Sequence, residues 1–257
     1  MSYFSIHNHT EYSSIRIIDS INKVKDLIDR AIELNLSGIC ITDHEVLSAH
    51  VQAIQYYKSL PDEIKSKFTL GLGDEIYLVN DLNNIDYGYT HFILVAKNEV
   101  GHRALREISS TAWENSKTDR GMLRVPISKK ELKNIVKKFP GTLKASTACL
   151  GSEFSKLVLE LINKENNNFS PVEIGATKQK IVDHINYCKE LFGKDFYIEV
   201  QPGVCEEQHL YNLKAKVIAK ALGVKMIFTT DSHYLKKEDR GIHKAYLNSK
   251  EGEREVV

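Results

Sequence analysis

Gly38-Ile39-Cys40-Ile41-Thr42-Asp43-His44 is a short apolar run that ends in an acid and an imidazole. Its length and composition read as a buried β-strand, and the polar pair falls just past the strand's carboxyl end. The same arrangement recurs along the chain. Phe68 to Leu72 leads to Asp74 and Glu75, Leu143 to Thr147 leads to Cys149, and Lys225 to Thr229 leads to Asp231 and His233. Phe196 to Val200 carries Glu199 near its end, and Phe92 to Ala96 is preceded by His91. Near the N-terminus, a strand from Tyr3 to His9 places His7 and His9 on one face by alternation, so both rings reach a common point.

Helical patterns separate these runs. They cover Ser20 (as cap) to Leu34, Ala49 to Leu60 closed by Pro61, and Val100 to Trp113. Further helices run from a Ser128/Glu131 capping box to Phe139, from Glu153 to Ile162, Val172 to Leu191 and Glu206 to Leu222. Ser116 to Pro126 reads as an irregular surface loop, and Asn163 to Ser170 as a turn. Alternating β and α elements favour a parallel sheet, either closed or doubly wound. An open sheet gathers its chemistry at one switch point, whereas a barrel gathers it at the ends of many strands. The distribution here favours the barrel.

Composition limits the function classes. The chain has 257 residues, 42% of them hydrophobic, and a formal charge of +1, so no global field draws it to nucleic acid. No apolar run reaches the length of a membrane span, and Met1-Ser2-Tyr3 does not open a signal peptide, which predicts a cytoplasmic protein with no membrane contact. Cys40, Cys149, Cys188 and Cys205 are scattered, which excludes a zinc ribbon and a disulfide framework.

Singly, each strand-end residue has an ordinary explanation. Asp43 and Asp231 suit capping turns, Cys149 a small buried hydrophobe, Glu75 a solvated charge and His91 a core histidine. Glu11, His50, His102, His184, His209 and His243 follow no strand and are read as structural. Jointly, His-x-His, Asp-His and Asp-x-His after apolar runs supply imidazoles, carboxylates and one thiol, a donor set that suits zinc, manganese or iron rather than calcium. More than six candidate ligands imply two or three divalent ions, with Glu75 or Asp231 bridging. Ions so placed activate a water, neutralise phosphate oxygens and stabilise a leaving alkoxide, which is phosphoester hydrolysis.

The motifs His7-Asn8-His9, Asp19, Thr42-Asp43-His44, Gly73-Asp74-Glu75, His91, Cys149 and Asp231-Ser232-His233 together resemble the polymerase and histidinol phosphatase (PHP) domain. Within that superfamily they are most similar to the N-terminal domain of the bacterial DNA polymerase III alpha subunit. Supporting stretches are Ala148-Cys149-Leu150-Gly151 with Glu153, Phe196-Tyr197-Ile198-Glu199-Val200-Gln201, and His233-Tyr234-Leu235-Lys236-Lys237. The resemblance implies a distorted (β/α)7 barrel with a metal site at the carboxyl ends of its strands. It implies one ion on His7, His9, Glu75 and Asp231, a second on Glu75, His91 and Cys149, and a third on Asp19, His44 and His233. The ions would be zinc, manganese, iron or magnesium. Asp43 and Glu199 would support ligands from behind, and Glu75, Asp231 and His9 would be central to catalysis. Ile17-Ile18-Asp19-Ser20 departs from the family's Leu-Leu-Asp-Gly.

By the same resemblance, residues 1–257 form one PHP domain, with about 241–257 leading out towards a polymerase palm that this sequence does not contain. The implied activity is 3′–5′ exonucleolytic proofreading at a DNA 3′ end, beside other polymerase domains or replisome proteins. Two alternatives fit the same motifs: a non-catalytic, metal-stabilised scaffold of the polymerase, and a small-molecule phosphatase of the histidinol phosphatase type. A DNA substrate would call for a basic rim, for which Lys97, Arg103, Arg106, Arg120, Arg124, Lys129 and Lys130 are the candidates.

Overall fold

The structure, a computed structural model, describes residues 3–15, 18–83, 88–119, 121–203 and 205–249. Ile17, Arg120 and residues 250–257, which enter the readings above, lie outside the described residues. The strands are β1 (Phe4–Ser5), β2 (Gly38–Ile41), β3 (Thr69–Val79), β4 (Thr90–Ala96), β5 (Lys117–Asp119), β6 (Met122–Arg124), β7 (Pro126–Ser128), β8 (Leu143–Ser146), β9 (Phe196–Val200) and β10 (Lys225–Phe228). The helices are α1 (Val24–Glu33), α2 (Ala49–Ser59), α3 (Asp62–Lys65), α4 (Glu99–Glu114), α5 (Lys129–Lys138), α6 (Glu153–Asn166), α7 (Pro171–Phe192), α8 (Glu206–Leu222) and α9 (Arg240–Leu247).

Seven strands form a curled sheet in the order β1-β2-β3-β4-β8-β9-β10, with β7 added beside β3. The two edges meet where Asn8 bridges Ser232 in parallel, and where the His9 amide donates to the Ser232 carbonyl at 3.0 Å. This closes a distorted α/β barrel. Alternation along β3 and β4 sends Ile76, Leu78, Phe92 and Leu94 outwards into a core shared with α4 to α8. A second core joins Val24, Leu27 and Ile28 of α1 to Ile39 and Ile41 of β2 and to α2. No helix among the described residues is long and apolar enough to cross a membrane.

Four details differ from the sequence reading. First, β4 runs antiparallel to both β3 and β8, where alternation predicts parallel pairing. Its first residues therefore lie at the mouth where the other strands end, which is why His91 belongs to the start of its strand, Thr90–Ala96, and not to the segment after it. Second, β1 spans only Phe4–Ser5, but Asn8 takes the next ladder positions, accepting from the Thr42 amide at 2.9 Å, so His7 and His9 still project to one side. Third, α1 begins at Val24, because the Ser20 hydroxyl donates instead to the carbonyls of His9 (2.9 Å) and His233 (3.1 Å), tying the loops that carry these two histidines together. Fourth, Ser116 to Pro126 is no irregular loop, since β5 and β6 pair as a hairpin and β7 joins β3. The Ser128/Glu131 capping box is present as expected, and a second, Ser170/Glu173 around Pro171, opens α7.

Candidate metal centre

At the mouth where these strand ends converge, the Glu75 carboxylate is the hub. One oxygen lies 3.2 Å from His7 Nε2, 3.0 Å from His9 Nε2 and 3.2 Å from His44 Nδ1, and the other lies 2.8 Å from His91 Nδ1. Asp231 Oδ1 approaches His7 Nε2 and His9 Nε2, both at 3.2 Å. Asp19 faces His233 Nε2 at 3.2 Å and His44 Nε2 at 3.7 Å, and Cys149 Sγ lies 3.3 Å from His91 Nδ1. All nine candidate ligands are thus brought to one place. Three subsets converge within a ligand's reach of a common point: His9, Asp19, His44 and His233; His7, His9 and Glu75; and His44, Glu75 and His91. His44 therefore faces Glu75 and His91 as well as Asp19.

Several of these atoms are close without being hydrogen-bonded. Asp19 Oδ2, His44 Nδ1, Glu75 Oε1 and Asp231 Oδ1 are buried and have no aligned hydrogen-bond partner. Buried polar atoms are rarely left so, and their lone pairs aim at shared points instead of at one another. Imidazole, carboxylate and thiol donors arranged this way fit divalent transition ions.

The electrostatics agree. Burial works against charge on His7, but Asp231, Glu199 and Glu75 outweigh it and hold the ring well above the usual histidine range. His9 is raised to about 10, burial being overcome by Asp231 and Glu75. His44 is pushed down to about 3 by burial, despite Glu75 and Asp19. Burial opposes ionisation of Asp19, Glu75 and Asp231, yet the neighbouring imidazoles hold all three below the usual carboxylate range. Burial pushes the Cys149 thiol well up, with Asp231 and Glu75 adding to it. The carboxylate charge is thus balanced by protons on histidines, and an incoming cation displaces them. Because His9 is raised, it is protonated at neutral pH and must lose that proton to ligate. Metal affinity is therefore expected to rise with pH from 6 to 8, by up to about tenfold per unit for each proton released. A zinc titration showing affinity independent of pH would contradict this.

Two buried carboxylates support ligands from behind. Glu199 accepts from His7 Nδ1 at 2.6 Å, from Ser146 Oγ at 2.6 Å and from Thr229 Oγ1 at 2.6 Å, which fixes the ring and turns Nε2 towards Glu75. Asp43 accepts from Ser13 Oγ at 2.8 Å and Thr10 Oγ1 at 2.7 Å, and Ser13 Oγ in turn lies 3.0 Å from His9 Nδ1. Asp43 therefore reaches His9 through Ser13, a link that the sequence reading did not contain. Backbone strain concentrates here too. Glu45 (φ 53°), Ala148 (φ 62°) and Asp231 (φ 49°) are left-handed although none is glycine, each at about 1–2 kcal/mol. A Cβ at Gly151 would lie 3.1 Å from the His91 ring, so a larger residue there would press on that imidazole.

The proposed basic rim is divided. Lys97 follows the antiparallel β4 and so lies at the opposite mouth, paired with Asp195 at 2.8 Å. Arg103 and Arg106 occupy the half of α4 that starts from that end. Arg124 stacks over Tyr89, its guanidinium 4.8 Å from the ring centre, and Lys129 pairs with Glu153 at 2.7 Å. Of the histidines read as structural, His243 proves to adjoin the centre, with Nε2 2.7 Å from the Asp19 carbonyl. No strand precedes it, so no pattern in the sequence marked it.

Comparison with known proteins gives a consistent picture. The family model described as PHP domain matches residues 5–203. The chain is 44% identical over 260 residues to a DNA-directed DNA polymerase of Bacillus phage SPbeta, covering 97% of this chain and 20% of that protein. It is 28% identical over 246 residues to the DNA polymerase III subunit alpha of Borreliella burgdorferi, covering 92% of this chain and 18% of that protein. The chain therefore spans about a fifth of the length of these relatives. Among solved structures, a protein assigned as a metal-dependent phosphoesterase from Bifidobacterium adolescentis shares the fold, with a TM-score of 0.50 and 16% identity over 92% of this chain and 89% of that one.

Proposed function

The chain belongs to the PHP domain family, and we propose that its strand-end cluster is a multinuclear metal centre that hydrolyses phosphoesters, acting as a 3′–5′ exonuclease on DNA. The observation that carries this reading is the convergence of buried donor atoms on shared points, with Asp19 Oδ2, His44 Nδ1, Glu75 Oε1 and Asp231 Oδ1 lacking any hydrogen-bond partner. In this reading His7, His9, Glu75 and Asp231 hold one ion, Glu75, His91 and Cys149 a second, and Asp19, His44 and His233 a third. Bound there, zinc, manganese, iron or magnesium supplies Lewis acidity to activate water and offset charge on the phosphate.

The chain's own residues do the rest. Glu199 keeps the His7 proton on Nδ1, so Nε2 is free to ligate. Ser13, held by Asp43, contacts His9 Nδ1 and fixes that ring between Glu75 and Asp231. The polymerase relatives support DNA as the substrate and polymerase domains as partners, with residues 1–257 as one domain of such an assembly.

Metal analysis of the purified protein, coupled to assays on single-stranded DNA and on a phosphomonoester, tests this. Manganese- or zinc-dependent release of nucleotides from 3′ ends is expected. Cys149→Ala is expected to reduce that release without abolishing it, because the thiol is peripheral and Glu75 and His91 still hold the second ion. Metal-loaded protein that leaves both substrates intact would favour the scaffold, and cleavage of the monoester alone would favour the phosphatase.

A further inference from the structure

A cavity of about 600 Å³ opens beside the metal centre, bounded on one side by Asp19, Cys149, Asp231 and His233. Its size is that of a site for a small organic molecule. Away from the ligands its walls are formed by Leu150, Pro202, Gln201, Gln208, Tyr234 and His243. Among the described residues, no lysine or arginine lines it. With no lysine or arginine to meet a second phosphate, the part of the cavity beyond the candidate ligands suits an uncharged group.

The two glutamines define what kind of neutral group fits. Gln201 Nε2 lies 3.0 Å from the Glu199 carboxylate and 3.3 Å from Thr229 Oγ1, and a carboxylate demands a donor, so the NH2 of Gln201 is the end turned inwards. Asn212 Nδ2 donates to the Gln201 carbonyl at 2.8 Å, which leaves Asn212 Oδ1 to accept from Gln208 Nε2 at 2.9 Å. Glu199 thus sets the Gln201 amide, and Asn212, whose own amide is set by the main-chain carbonyl of Gln201, sets that of Gln208. Both glutamines line the cavity, and with their NH2 groups engaged within the protein their side-chain carbonyl oxygens have no intramolecular donor among the described residues. Gln208 is further fixed because its stem lies against Gly203, where a Cβ would come within 2.3 Å of its Cγ. Tyr234 and His243, with ring centres 5.4 Å apart, add an aromatic surface to the lining.

We infer that this cavity is a recognition subsite for the nucleoside half of a phosphoester, an uncharged group whose sugar hydroxyl or base amino group donates to Gln201 Oε1 and Gln208 Oε1 while its flat face lies on the aromatic wall. The inference rests on the phosphoesterase reading and names the substrate group that the centre accepts. It also assigns the remaining phosphates of a DNA strand to some other surface, since the cavity takes one nucleoside only.

Isothermal titration at 5 °C of zinc-loaded protein with deoxyadenosine 5′-monophosphate and with phenyl phosphate tests it. Phenyl phosphate offers a flat ring and no donor. One or two neutral hydrogen bonds predict about three- to thirtyfold tighter binding of the nucleotide. Gln208→Met keeps the shape of the side chain but loses the acceptor, and is expected to bring the ratio to within about threefold. Equal affinities in the unaltered protein would overturn the subsite without any variant, as would a ratio that Gln208→Met leaves unchanged. Parallel hydrolysis assays separate the two claims. Selective binding with no hydrolysis overturns the enzyme and keeps the subsite, whereas hydrolysis with no selectivity overturns the subsite alone.

Discussion

Glu75→Ala is expected to abolish hydrolysis and remove more than half of the bound metal, measured by turnover of a 3′-labelled single strand and by metal analysis of the same preparation. Glu75 faces His7, His9 and His44 with one oxygen and His91 with the other, so its carboxylate joins imidazoles assigned to different proposed ions. Its loss releases two proposed ions together. A fall of at least about a hundredfold to a thousandfold is expected, the range seen when one preorganised stabilising group is removed. Asp231→Ala is expected to behave alike. The variant's stability distinguishes this from misfolding. Glu75 is buried and its carboxylate balances the charge of the imidazoles around it, so in the presence of chelator Glu75→Ala is expected to melt lower than the unaltered protein while still unfolding in one transition above the assay temperature. A variant that keeps full activity, or one that is already unfolded at the assay temperature, would contradict this account.

Chelation is expected to have the largest effect on stability. The barrel's first and last strands meet only around Asn8 and Ser232, with the Tyr3 hydroxyl donating to the Phe228 carbonyl further down. His7 and His9 lie on one side of this seam, and Asp231 and His233 on the other. An ion bound between them clamps the seam as well as neutralising the carboxylates. A ligand that binds only the folded state at about a thousand times its dissociation constant contributes about 4 kcal/mol. For a chain of this size each kcal/mol moves the melting temperature by about 2–4 °C. Removing the metal should therefore lower it by about 8–16 °C, read by scanning calorimetry before and after dialysis against EDTA. An unchanged transition after proven metal removal would show that the seam holds without ions.

Much of this centre can be read from the chain because strand-end chemistry leaves a local signature. An apolar run followed by Asp-His or Asp-x-His marks both a strand and the residues at its carboxyl end, and each such mark lands at one mouth of the barrel. What the sequence does not carry is direction. The run Phe92 to Ala96 is apolar whichever way it points, and only pairing with β3 and β8 shows that it is reversed. That single reversal misplaces Lys97 and with it half of the expected basic rim. The Ser13 link to Asp43, the His243 contact and the glutamine network depend on loops folding back across the mouth, and such contacts have no period for a sequence pattern to reveal. Ser20 has the composition of a helix cap and is used instead as a tie between two loops, tertiary demand overriding local preference.

The reversal of β4 also bears on the order in which the chain comes together. Glu75 and His91 stand on adjacent strands of one hairpin, so the carboxylate at the hub and one of its imidazoles are joined by a contact close in sequence. Contacts of this kind form ahead of those that close long loops. His7 and His9, by contrast, meet Asp231 and His233 only when the last strand docks against the first. A polypeptide leaving the ribosome N-terminus first thus carries seven of the nine candidate ligands while Asp231 and His233 are still unsynthesised. Capture of the full complement of ions then belongs to the final docking step, and free divalent metal should speed that slow phase of refolding while leaving the early hairpin phase untouched.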